Sequence, residues 1–122
     1  FAGAKVFIMG LQVPSVNGGL GANYGALGTG YADQKGIMRA ALNLNAAYQS
    51  IANEAAYTSF VQYIDVATQF DSENNMPETD ALVNTRSAKT EKLGTNGVHP
   101  ETSGYYQIAD VVYRSIIANF CQ

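Results

Sequence analysis

AKVFIMGL, Ala4 to Leu11, is the stretch on which the fold turns. Apart from Lys5 near its edge the run is apolar without alternation, the pattern of a strand covered on both faces, as in a parallel sheet between helices. A second segment of the same kind lies downstream. Phe60–Ala67, FVQYIDVA, is rich in β-branched and aromatic residues and follows a break at Thr58 and Ser59. Between the two, Ile37–Ala56 repeats at helical period: Ile37, Ala41, Leu44, Tyr48, Ile51 and Ala55 fall on one face, while Arg39, Asn43, Asn45, Gln49 and Asn53 cluster away from it. Strand, loop, helix and strand make one βαβ unit, a crossover that is right-handed in nearly all cases. The expected class is α/β with a parallel sheet.

Two stretches of this frame lack periodicity. Gln12–Gly36 carries Gly18, Gly19, Gly21, Gly25, Gly28, Gly30 and Gly36, yet no Gly-Lys-Ser/Thr follows and no Gly-x-Gly-x-x-Gly opens a helix directly after a strand, so it is not a phosphate-binding loop. It reads either as a plain surface loop or, because it leaves the carboxyl end of a parallel strand where open α/β sheets bind ligands, as a binding loop. In the second case Tyr24 and Tyr31 offer flat faces to a sugar or acyl group and are the substrate-binding candidates. Thr68–Leu93 is the other stretch, with Asp71, Ser72, Glu73, Asn74, Asn75, Pro77, Glu78 and Asp80 marking a polar loop and a short helix expected around Ala81–Lys89. The acidic residues lack the alternating ligands and the glycine of an EF-hand, so a solvated loop is expected rather than a calcium site, and neither a metal nor a cofactor is expected elsewhere.

Chemistry gathers near the carboxyl end, in GTNGVHPETSGYYQIADVVY from Gly94 to Tyr113, which holds the single histidine. Pro100 fixes its own φ and biases His99 toward extended geometry, placing the imidazole on a stiff loop. Thr102 or Ser103 is the expected N-cap of a terminal helix in which Tyr105, Ile108, Ala109, Val112, Ile116 and Phe120 recur at helical spacing.

His99-Pro100 followed by Gly104-Tyr105, Ile108, Ala109 and Asp110 resembles the last block of the SGNH (GDSL-type) hydrolases, where an Asp-x-x-His-Pro loop precedes a terminal helix with Gly-Tyr near its start. The resemblance implies that His99 is the general base that takes a proton from a serine and returns it to the leaving group. Asn96 stands where that family has aspartate. Its amide oxygen can accept a hydrogen bond from the imidazole but brings no negative charge, and in a serine-protease triad that replacement costs roughly 10⁴ in turnover. Asp65 and Asp80 are the acids that could substitute, and spacing alone does not choose between them.

The chain has 122 residues, 47% of them hydrophobic and 14% charged, which suits one globular domain. With 7 basic and 10 acidic residues, a net charge of −3 and no basic run, nucleic acid is not an expected partner. No apolar run has the roughly 20 residues of a membrane span. Cys121 is one cysteine alone at the carboxyl end and is read as structural or incidental. Phe1 in place of an initiator methionine, just before an apolar strand, suggests a processed or trimmed chain.

Two parallel strands are too few to stand alone. Neither Gly-Asp-Ser nor Gly-x-Asn-Asp occurs in the sequence. The resemblance therefore implies that residues 1–122 are the carboxyl-terminal half of a three-layer α/β/α, flavodoxin-like domain, supplying its last βαβ unit and final helix, with the amino-terminal half, same or separate polypeptide, as partner. Serine, oxyanion-hole glycine and oxyanion-hole asparagine would lie there. Ser15, Ser87 and Ser103 are not expected to replace that serine: Ser103 is committed as a cap, and the other two lack a nucleophile motif. The activity implied is hydrolysis of carboxylic esters, such as those of acetylated carbohydrate or lipid. The competing expectation is a non-catalytic glycan-binding or structural module of a secreted or virion surface protein, which Asn96 favours. An unrelated doubly wound receiver-like domain lacks the acidic pocket or phosphate turn it would need.

Overall fold

Each apolar run becomes a strand, and the two strands find each other. A computed structural model describes residues 3–14 and 34–120. Val6–Met9 (β1) and Val61–Ile64 (β2) form a parallel pair, Val6 opposite Val61 and Met9 opposite Ile64, joined through the helix Gln34–Ala52 (α1). The ladder is extended at both ends, where Val6 N–H donates to the Phe60 carbonyl at 2.8 Å and Gly10 N–H to the Ile64 carbonyl at 2.9 Å. Glu78–Leu82 (β3) and Thr90–Gly94 (β4) form a separate antiparallel hairpin, and Thr102–Phe120 (α2) closes the described chain. The fold is mixed α/β, with two helices and two small sheets among the described residues. No described helix is long and apolar enough to cross a membrane.

Both helices pack on β2, which places the core at its carboxyl end. Ile64, Val66, Phe70, Met76 and Val111 are buried together, with Phe7, Ile108 and Val112 half-buried against them. Burial of such side chains is worth roughly 1.5–3 kcal/mol each. On α2 the inward stripe thus runs through Ile108, Val111 and Val112, not through Tyr105 and Ala109, which are exposed. β1 also departs from expectation. Val6 and Met9 are each 46% exposed, so this strand is not covered on both faces by the described residues. A two-stranded sheet whose helices lean on β2 offers fewer covered faces than its apolar pattern suits.

α1 starts earlier and ends earlier than its periodicity suggests, and it turns a different face inward. Ala41, Asn45 and Ala52 are buried, while Leu44 and Ile51 are 39% and 42% exposed. The reason lies in the main chain of Leu11, one residue past the ladder. Leu11 N–H donates to Asn45 Oδ1 at 2.7 Å, and Asn45 Nδ2 donates to the Leu11 carbonyl at 2.8 Å. Peptide groups partly withdrawn from water gain from being paired, and one carboxamide serves both, so a polar residue takes a core position. Beside it, a Cβ on Gly10 would collide with the Tyr63 hydroxyl and stand 3.2 Å from Asn45 Oδ1, which explains glycine at that point. Burial, and secondarily the charge of Asp65, push the Tyr63 phenol above its ordinary pKa.

Residues 68–77 form turns, as expected of a polar loop, whereas from Glu78 onward the hairpin replaces both the rest of that loop and the short helix expected over Ala81–Lys89. Asp80 faces Lys92 across it, their side chains bridging at 2.9 Å in solvent. In the tip, Arg86 N–H donates to Asn84 Oδ1 and Lys89 N–H to Ser87 Oγ, each at 3.0 Å. Side-chain acceptors that bond nearby N–H groups draw the backbone out of a helix and into turns.

Candidate active site around His99

His99 sits in a turn built by its neighbours. Asn96 Oδ1 accepts the backbone N–H of Val98 and that of His99, both at 3.0 Å. The residue expected to orient the imidazole therefore holds the main chain of His99 with its oxygen. Such a turn is ordinary asparagine chemistry, the side chain standing in for a backbone carbonyl. His99 is exposed, and among the described residues no hydrogen bond is made to its imidazole.

Pro100 is buried immediately after it, and α2 begins two residues later. Tyr105 N–H donates to the Glu101 carbonyl at 3.1 Å, so Glu101 is the first acceptor of the helix, and Thr102 and Ser103 lie within its first turn. Neither hydroxyl residue occupies the cap position, which corrects the expectation for both. Glu101 N–H is held by the Asn75 carbonyl at 3.0 Å, so the helix start is fixed by the loop packed against it.

That loop explains Gly104. A Cβ there would lie 2.6 Å from Pro100 Cβ, 2.7 Å from the Asn75 carbonyl oxygen and 3.1 Å from Phe70. Loop, proline and helix meet too closely for any side chain. Gln107, one turn on, reinforces the junction: its Oε1 accepts from Asp71 N–H at 2.8 Å and from Asn75 Nδ2 at 2.9 Å. Asp71 in turn accepts from the side chain and backbone of Asn74 and from Glu73 N–H, and these bonds, the Asn74 amide first, hold its carboxyl below the usual pKa.

The turn is also tied to the parallel sheet. Gln12, two residues beyond Gly10, donates from Nε2 to the Val98 carbonyl at 2.5 Å. The histidine loop is thus fastened beside the carboxyl end of β1, the side of an open α/β sheet where ligands bind.

Of the candidates read from sequence, His99 and Asn96 share one turn. The two substitute acids are engaged elsewhere. Asp65 accepts from Thr68 Oγ1 at 2.8 Å and Thr68 N–H at 3.3 Å, and Asp80 bridges to Lys92. Tyr24 and Tyr31 lie outside the described residues, as do Ser15 and Cys121. Ser103 is exposed on the first turn of α2. Among the described residues no three acidic, histidine or cysteine side chains gather to hold a metal. Gln12, Asn45 and Gln107 were not singled out from sequence as parts of a site, and no local signal marks them, since each is a lone amide whose partner is distant in the chain.

No family model, characterised protein or solved structure matches the chain.

Proposed function

We propose that this chain is the carboxyl-terminal part of an SGNH-type serine esterase acting on carboxylic esters, those of acetylated carbohydrate among them. In this reading the described strands belong to a wider three-layer α/β/α sheet, and an amino-terminal part supplies the serine and oxyanion hole. The observation that carries it is the placing of His99: exposed, stiffened by Pro100 and Asn96, and fastened by Gln12 beside the carboxyl end of a parallel strand. A general base must present its imidazole to a partner while its backbone stays fixed, and this turn leaves the imidazole available. His99 would accept the serine proton as oxygen attacks the ester carbonyl, then deliver it to the departing alkoxide. Among the described residues no acid is hydrogen-bonded to the imidazole, so its partner would come from a main-chain carbonyl or from the amino-terminal part.

The test is labelling of the complete protein with a fluorophosphonate, which modifies activated serines. One serine modified, and the modification abolished by His99→Ala, is the expected result. An unlabelled protein would remove the esterase reading. One observation favours the second reading, a glycan-binding or structural module without catalysis: Asn96 carries no charge and its oxygen is taken by two backbone groups. Binding of acetylated oligosaccharide without turnover would select that reading.

A further inference from the structure

The peptide unit between Val98 and His99 is gripped at both poles. Its carbonyl accepts Gln12 Nε2 at 2.5 Å, and its N–H donates to Asn96 Oδ1 at 3.0 Å. A planar peptide held at oxygen and at nitrogen cannot turn about its flanking dihedrals without breaking one of the two bonds. Pro100 restricts His99 from the other side. Gln12 is itself anchored, because the main chain of Leu11 is bonded at N–H and carbonyl by Asn45, buried on α1.

We propose that Gln12 is a positioning residue for His99, coupling the end of β1 to the histidine turn through the Val98 carbonyl, with Asn45 as its anchor on α1. The proposal rests on the reading of His99 as general base, since the direction of an imidazole matters only where it must meet a reacting group. Three neutral carboxamides, those of Asn45, Gln12 and Asn96, form the relay from helix to strand to turn. The Gln12 link needs a donor aimed at a carbonyl, and that requirement can be switched by chemistry.

The experiment is hydrogen exchange at the His99 amide in the unsubstituted protein, Gln12→Ala and Gln12→Glu, each variant compared with the unsubstituted protein at the same pH. Removing the donor frees one pole of the peptide, and the His99 amide is expected to exchange roughly three- to tenfold faster. The amides of Val111 and Val112 in α2 keep their protection. Gln12→Glu gives the sharper readout. At neutral pH its carboxylate has no proton to offer Val98, so exchange is accelerated as in Gln12→Ala; below about pH 4.3 the protonated acid regains a donor, and the ratio returns toward one. A side chain that only fills space would show no acid recovery. Unchanged His99 exchange in both variants overturns the proposal. Fluorophosphonate labelling of the complete protein separates this failure from that of the underlying reading. No labelling of the unsubstituted protein overturns the general-base role whatever the exchange shows. Labelling that Gln12→Ala slows supports positioning, and labelling at an equal rate overturns it.

Discussion

Asn96 serves two backbone donors with a single oxygen, and an aspartate could serve the same two. Asn96→Asp is therefore expected to leave the urea midpoint unchanged, whereas Asn96→Ala, which strips both acceptors, lowers stability by about 1 kcal/mol. Gly104 is less tolerant. Gly104→Ala forces a methyl group against the Asn75 carbonyl and Pro100, and a loss of about 1–3 kcal/mol in urea denaturation is expected. An unchanged midpoint would mean that the loop can move aside. Gly104 shows what a sequence makes visible at this scale: its pairing with Tyr105 stood out as a pattern, but the obstructing carbonyl belongs to Asn75 in a distant loop. Gln12 stood out less, since its partner, Val98, lies 86 residues away.

The helices and the parallel strands were legible because a long periodic pattern reports a buried face. α2 begins at Thr102, three residues ahead of the first position its spacing marks, and the stripe that sinks inward is offset toward Val111. On α1 the reading failed at one residue for a physical reason, because hydrophobicity ranks Asn45 as outward and the unpaired main chain of Leu11 calls it in. Asn45→Leu separates the two influences. A leucine extends the apolar face yet leaves the Leu11 N–H and carbonyl without partners, and a loss of about 1–3 kcal/mol is expected in urea denaturation; a gain would show that apolar burial dominates there. The hairpin was illegible for the opposite cause. Four of the five residues of β4 and three of the five of β3 are exposed, so no face is reserved for a core and no alternation records the strands.

At the scale of the molecule, protons act on two groups from opposite ends of the pH range. The Asp71 carboxyl is held below its ordinary value of 3.8, chiefly by the Asn74 side-chain amide. The unfolded chain then binds the proton more readily, so the contribution to stability is in place above pH 3.8 and is lost as pH falls through the depressed folded value. Tyr63, raised above 10.0 mainly by burial, contributes fully below pH 10.0 and ceases to do so as pH rises through its elevated folded value. Urea midpoints measured against pH should show a plateau between these limits, with Asp71→Asn flattening the acid limb and Tyr63→Phe the alkaline one. Limbs unaltered by these substitutions would assign them to other groups. The α/β class was legible at this scale from two apolar runs and the helix between them, whereas the second sheet, largely exposed on both faces, was not.

The span from Gln12 to Val98 also sets an order of events as the chain folds. The β3–β4 hairpin pairs near neighbours, and contacts of that kind close within microseconds. Joining Gln12 to Val98 requires the end of β1 and the histidine turn to meet across 86 residues, so the entropy of closing the chain must be overcome before that bond can form. Pulse-labelled exchange during refolding should find the hairpin amides protected ahead of the His99 amide. A ribosome-bound chain would then carry a formed hairpin before it carried a fixed histidine turn, and the base proposed for catalysis would acquire its orientation only when the histidine turn reaches back to Gln12.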